Sequence, residues 1–504
     1  MDHPNFSQDT KKFTFADIED TATLGGFKLI DIFVVGLSVM IGIGLLNQFG
    51  SALGLIFCFF VIAAGFSLVA VKLKGKKLLS WLLLLTKWVL DTKLMNNSAI
   101  TKSSVAGSLI GETQSSDLLN RETGSTLKRN HNSFEVKLLK KISIISTPQN
   151  IGAILDPLNK KVIVLLKISK GQFGLLSTTG KDQAVDQWAN TLNSIKESVD
   201  NLSGIQIINI THPIALSDLK IPLNDSMTDL RGNIKQLAAK SYNEFLDSSD
   251  LMHNTQSSYI AVGLNKKNIN PSDQKIVSEV YGEILETAKN VNRTLRAGGF
   301  EISGTCTKKA IENVMKNLML SSGFNTNLLL NYFDDIYRFS YKSEWDHLKL
   351  NSKVISTYWI SSWPKFEVFS DFLSPLVLGC NFTKMFSLII SPIEFETAKK
   401  EAEAKLISHM SDDDLRSRAG FLNSATRAHS KSKNELLNYE IARGYETFKY
   451  SGYLSIAADT LGELKDKEAQ IELVAAKCGL SLQKLFGNQD TGFNFMLPLV
   501  RGVK

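Results

Sequence analysis

The chain is poor in the residues that build compact catalytic centres. Its four cysteines stand far apart, Cys58 inside an apolar stretch and Cys306, Cys380 and Cys478 scattered beyond it. That spacing argues against a disulfide framework or a zinc site and fits a reducing compartment. The seven histidines are equally dispersed, with no HExxH and no pair at helical spacing, so neither a metal nor another cofactor is expected. A GxSxG elbow is absent, and no Cys and His lie close enough in sequence to pair as nucleophile and base. Prolines number only ten, in a chain otherwise rich in lysine and asparagine.

A phosphate-binding loop is missing too. The nearest match, Gly174–Asp182 (GLLSTTGKD), has five residues between its glycines where the P-loop needs four, and Asp182 would repel the phosphates. The stretch reads as a strand end, a turn at Thr179-Gly180 and a helix start, with Asp182 adding negative charge to the first turn. The composition is that of a folded protein, 43% hydrophobic and 21% charged over 504 residues, enough for two to four domains. A net charge of +7 suits an anionic membrane surface but does not by itself indicate a nucleic-acid binder.

What the chain does have is two long apolar runs near its start, Ile32–Phe49 and Ala52–Val71, separated by Gly50 and Ser51. About 20 apolar residues in a helix match the roughly 30 Å hydrocarbon core of a bilayer, so the pair predicts a transmembrane hairpin. Lys11, Lys12 and Lys28 precede it, and Lys72, Lys74, Lys76 and Lys77 follow it, while the joining loop carries no charge. The positive-inside rule then places both termini in the cytoplasm of a multi-pass protein of the inner, cytoplasmic membrane, and no cleaved signal peptide is expected. A third run, Leu78–Leu90, is too short to span. With Trp81, Lys87 and Trp88 it suits a helix in the headgroup layer, against a partner helix, or in a soluble core.

These features divide the chain into a membrane module (1–90), a linker (91–133) rich in Ser, Thr, Asn and Lys, and two α+β domains (134–330 and 331–504). In the first, strands are expected at Lys161–Ser169, Gly171–Ser177, Ile205–Ile210 and Ser257–Gly263, with helices at Asp182–Val199, Met227–Asp247 and Asp273–Ala297. In the second, strands fall at Ser352–Ile360, Met385–Ile390, Glu446–Ala457 and Ser481–Leu485, and helices at Glu394–Met410, Asp414–Arg443 and Asp459–Cys478. The fold class is therefore α+β, with two ferredoxin-like halves as one arrangement of the cytoplasmic part. No repeat of fixed period is detectable.

Three clusters are candidate sites. Arg416, Arg418, Arg427, Lys431 and Lys433 make a basic stretch that reads either as a solvated helix face or as a patch for nucleic acid or an acidic partner. Trp345, Trp359 and Trp363 read as core or as interface anchors. The acidic run Asp412-Asp413-Asp414 reads as a helix N-cap in preference to a magnesium site, and Asp334-Asp335 as a surface turn.

Short motifs in a fixed order carry a resemblance to a known family. They are Leu24-Gly25-Gly26 before the first span, Trp81…Trp88 after the second, the AVDQWANTL stretch around Trp188, and Trp345-Asp346-His347. Tyr358-Trp359-Ile360, Trp363-Pro364, Gly487-Asn488-Gln489 with Phe493, and Leu497-Pro498-Leu499 with Arg501-Gly502 complete the series. In these the chain resembles actinobacterial membrane proteins of conjugation-type (type IV) secretion loci. Those proteins join a PrgI-like two-helix membrane module to a domain similar to the N-terminal region of the secretion transport ATPase. The resemblance implies a non-enzymatic membrane component that docks a separate hexameric transport ATPase, contacts other secretion-channel proteins and self-associates. It carries over no catalytic residue. The motor domain would begin where this chain stops, at Lys504. The alternative function is a membrane-tethered nucleic-acid binder that guides DNA to a transfer channel.

Overall fold

The structure is a computed structural model that describes residues 29–89, 142–214, 241, 253–320 and 341–502, short gaps within these excepted. The linker 91–133 and the Asp334-Asp335 turn lie outside the described residues, as does the helix expected at Met227–Asp247 save for residue 241. It is a mixed α+β fold: an apolar helix pair at the N-terminus, then a large antiparallel sheet with helices on it.

The first helices are α1 (Leu29–Phe49) and α2 (Ala52–Ala70). Among the described residues α1 is the one helix long and apolar enough to cross a membrane, through Asp31–Gln48, while α2 holds a shorter apolar run, Gly54–Ala70. The two approach closely because small residues face each other: a Cβ on Gly65 would lie 2.3 Å from Ser38 Oγ. Their outer sides leave Phe33, Met40, Phe59 and Phe60 between 66% and 73% exposed. Two short antiparallel strands, β1 (Lys72–Leu73) and β2 (Lys76–Lys77), turn the chain back, and Lys77 pairs with the buried Asp31 in the first turn of α1. A connector helix over residues 78–86, resuming at 88–89, follows.

The first half of the sheet contains β3 (Ser143–Ser146), β4 (Gly152–Asp156), β5 (Lys161–Ile168), α3 (Thr178–Ser198), β6 (Leu202–Ile214), β7 (His253–Asn265), α4 (Gln274–Ala297), β8 (Ile302–Thr305) and α5 (Lys308–Leu320). The second contains β9 (Tyr341–Ser343), β10 (Leu348–Leu350), β11 (Lys353–Ser362), α6 (Ser374–Leu378), β12 (Lys384–Ile393), α7 (Phe395–Arg418), α8 (Ala425–Ala442), β13 (Thr447–Ala458), α9 (Leu461–Lys477), β14 (Ser481–Lys484) and α10 (Gln489–Asn494). The strands form one 12-stranded sheet, β3-β4-β5-β7-β6-β12-β13-β11-β10-β9, with β8 on β5 and β14 on β11.

The two halves follow the same path. Each opens with a hairpin, then runs strand, helix, strand, strand, helix, strand, giving the orders β8-β5-β7-β6 and β14-β11-β13-β12. In each, the first of those strands pairs near its start with the hairpin and near its end with the last strand. The halves meet where β6 and β12 run antiparallel from Lys384↔Thr211 to Ile390↔Ile205. In the second half the excursion between the two middle strands is the α7–α8 helical hairpin, closed at its base by Ala398, Ala402, Leu437 and Ile441.

Sequence pattern explains the layers. Strand β5 is apolar without alternation and buried on both sides, as a central strand must be. Val162, Val164 and Leu166 face α3 and α4, while Ile163 and Leu165 face the other way. Helix α4 meets them with Val280, Ile284, Ala288, Val291 and Leu295, a three-to-four residue spacing. Helix α9 starts on a Thr460 cap: Glu463 N donates to Thr460 Oγ1 at 3.2 Å, and the Glu463 carboxylate reaches back to accept Asp459 N at 3.0 Å.

Three local expectations are corrected. The strand expected at Gly171–Ser177 is not found over its described residues, 173–177: Phe173–Leu175 form a 3-10 turn, and α3 starts at Thr178 because Ser177 Oγ accepts from Gly180 N at 3.2 Å. The Asp412–Asp414 run is no N-cap, since α7 continues through it to Arg418; aspartate is a mediocre helix former but not a breaker. The long helix expected at Asp414–Arg443 accordingly begins later, at Ala425.

The second face of the sheet is closed by α5 and by residues 495–501, which form a strap across the β6–β12 seam. Gln206 of β6, fully buried, donates from Nε2 to Ser387 Oγ, Phe495 O and Leu497 O, each at 2.9 Å, and accepts Val500 N at 2.7 Å. Lys161 Nζ donates to Val500 O at 2.6 Å, and Arg501 closes the strap with Nε and Nη2 at 2.9 and 2.7 Å from buried Asp156 Oδ2. Val500 sits at φ 49, a conformation costly for a β-branched residue, so its neighbours must hold it there. Replacing Arg501 by Met should leave Asp156 buried and uncompensated and lower unfolding stability by about 3–5 kcal/mol in denaturant titration. Removing the exposed Glu401–Lys449 pair with Glu401→Gln should cost less than about 1 kcal/mol.

Candidate functional site: the seat of the connector helix

Residues 81, 84 and 88 fall on one side of a helix because their spacings are three and four. That side of the connector meets the β9–β10 turn and the segment after β14. Trp81 lies 6.0 Å from Trp345 and 5.0 Å from Phe486 between ring centres, and Trp88 meets Trp345 edge-on at 5.6 Å. Trp81 Nε1 donates to Leu73 O at 2.9 Å, which satisfies its one polar atom locally. Gly487 N donates to Trp345 O at 2.7 Å, and Gly487 holds φ 71. A Cβ there would lie 2.6 Å from Leu84 and 2.8 Å from the Trp345 ring, so glycine is required twice over.

Charged groups lie beneath these rings. His347 Nδ1 and Asp346 Oδ1 are 2.7 Å apart, Lys484 Nζ is 2.6 Å from Glu468 Oε1 and 3.9 Å from Asp346 Oδ2, and it stands 5.7 Å from the Phe486 ring centre. Burial works to raise the Asp346 carboxyl, but its bond to His347 and the charge of Lys484 outweigh this and hold it below the ordinary range. Burial, then the nearby Glu468 and Glu472, push the Tyr358 phenol far up, so it stays neutral. Among the described residues, His347 Nε2 is buried without a hydrogen-bond partner.

An Asp–His pair near a serine invites comparison with hydrolytic sites. Ser356, however, is completely buried in the middle of the sheet, where no substrate carbonyl reaches it. The thiols are equally unsuited to attack: burial pushes Cys306 up to about 11 and also raises Cys380 and Cys478. Among the described residues the one buried amine, Lys384, is shifted down by burial and donates to Cys380 O at 3.0 Å. Among the described residues no group of three or more His, Cys, Asp or Glu converges as a metal site would.

The candidate residues fall in three places. Trp345 is half-buried in the seat; Trp359 is half-buried against the second face; Trp363 is buried, edge-on to Tyr450 at 5.2 Å. Arg416 and Arg418 end α7 while Arg427, Lys431 and Lys433 occupy the first half of α8, so the hairpin brings all five toward its free end. Lys72 and Lys76 lie in the β1–β2 pair, Lys77 binds Asp31, and Lys74 is outside the described residues. Sequence reasoning missed Phe486, Lys484 and Glu468, which only the fold brings to Trp345. No family model matches the chain, and no curated protein matches it significantly.

Because the Asp346 carboxyl is depressed in the fold, its contribution to stability is present above the ordinary aspartate pKa of about 3.9 and is lost as pH falls through the lower folded value. Asp346→Asn should therefore lower the thermal midpoint at neutral pH and converge on the parent in strong acid. A constant difference across that range would show that the carboxylate charge is not what matters.

Proposed function

We propose that the chain is a non-enzymatic inner-membrane component of a conjugation-type, type IV-like secretion machine, which seats a separate hexameric transport ATPase. In this reading α1 and α2 cross the bilayer as a hairpin with both termini in the cytoplasm. The sheet is a docking platform that self-associates and meets other channel proteins. Each half is a ferredoxin-like unit, a reading supported by the two strand orders, fourth-first-third-second in both.

One observation carries the reading: an apolar helix pair is coupled to a large sheet through a fixed aromatic seat, the layout of an anchor with a platform. The polar groups buried along the seam support it as well. Gln206, Asp156, Lys161 and Arg501 are occupied in holding the strap, a structural task. The family resemblance in the order of the tryptophan and glycine motifs supplies the machine and the ATPase.

The full-length protein, expressed with a transport ATPase encoded beside it, should stay in the carbonate-washed membrane pellet and co-purify with that ATPase from detergent. Alone, it should hydrolyse ATP at background rate. Release into the carbonate supernatant would remove the anchor, and motor-like turnover would remove the docking role. The second reading, a tethered nucleic-acid binder, is favoured by the gathering of five basic residues toward the end of the α7–α8 hairpin. Binding in a gel-shift titration at low salt that weakens steeply at higher salt, and is lost in a variant with all five neutralised, would support it.

A further inference from the structure

We infer that the connector helix is itself a lipid-facing element, with one side gripping the sheet and the other lying in the headgroup–acyl boundary of the bilayer. The inference rests on the membrane reading of α1 and α2 and adds the orientation of everything that follows them.

The helix is mostly apolar, its polar residues being Ser80, Thr86 and Lys87, with the exposed Thr86 hydroxyl donating to Leu83 O at 2.9 Å, and the other described residues use only one side of it. Trp81, Leu84 and Trp88 face Trp345, Phe486 and Gly487. Leu82 and Leu83, turned away from the seat, are 50% and 58% exposed, and Leu85 at its flank is 50% exposed. Leu73 and Val71 extend the same exposed apolar surface back toward α2. A helix wanting only to join the sheet would carry mainly charged and polar residues on that outer side, whereas Thr86 stands there among leucines.

The occupant is lipid because the chain gives this helix no room to leave the membrane surface. It begins eight residues after α2 ends, and the intervening β1–β2 turn folds back on itself. Leu78 N donates to Val71 O at 3.1 Å, and Lys77 is tied to Asp31 at the start of α1. The leucines therefore continue the exposed apolar belt of Phe33, Met40, Phe59 and Phe60. The consequence is geometric: the sheet edge built from β9, β10 and β14 stands against the membrane, and the first half of the sheet stands away from it.

The test is nitroxide accessibility in the full chain, reconstituted in phosphatidylcholine–phosphatidylglycerol vesicles, with labels on Leu83→Cys and, separately, on Met40→Cys in α1. Leu82→Cys gives a repeat should the first variant fail to fold. The expected result is a shift toward oxygen over an aqueous nickel chelate at residue 83, smaller than the shift at residue 40. Gly487→Leu, which wedges the seat, should broaden the distance distribution between labels at 83 and on the sheet while leaving the residue 40 signal unchanged. A chelate-accessible residue 83 with a lipid-buried residue 40 overturns the inference and leaves the membrane reading standing. A residue 83 shielded from both reagents overturns it in favour of a protein partner. A chelate-accessible residue 40 removes the membrane reading and the inference with it.

Discussion

The antiparallel pairing of β6 with β12 is the constraint on which the rest depends. It turns two similar strand paths into one sheet, and it places a fully buried glutamine, Gln206, at the line between them. A buried amide in that position is costly unless every polar atom finds a partner. The strap supplies the partners: two carbonyls accept from Gln206, one N–H donates to it, and Ser387 across the seam completes the set. The polar line thus fixes where the last residues of the chain must lie, and Asp156 with Arg501 closes the arrangement in the first half.

The strands and helices were largely legible because their signals are local. The unbroken apolar run of β5 and the three-to-four spacing along α4 each need only a window of about ten to twenty residues. Errors arose where two local signals compete. At Gly171–Ser177 apolar residues suggested a strand, but Ser177 as a helix cap won. At Asp412–Asp414 three acidic residues suggested a helix start, but they stand within a helix already under way. Two similar halves were one arrangement to expect and no more, because their sequences share pattern and not residues.

The seat was legible only by one side. The seven-residue step from Trp81 to Trp88 shows that both occupy one helix face, and Gly487 belongs to a motif that invites notice. Nothing in sequence joins residue 81 to residues 345 and 486, which lie hundreds of positions away and meet through the sheet edge. The same distance hides Lys484 and Glu468 from Asp346. Long-range charge clusters of this kind are properties of the fold, and the helix outer face, with its exposed leucines, is one as well.

The strap has a bearing on how the polypeptide comes to be made. The second face of the first half stays incomplete until Val500 and Arg501 have left the ribosome, because they are its closing pieces. The strands of that half, translated well before these residues, must wait with their inner surface open to chaperones. Early and late translation are thereby linked: a copy broken off before residue 500 lacks its own clasp.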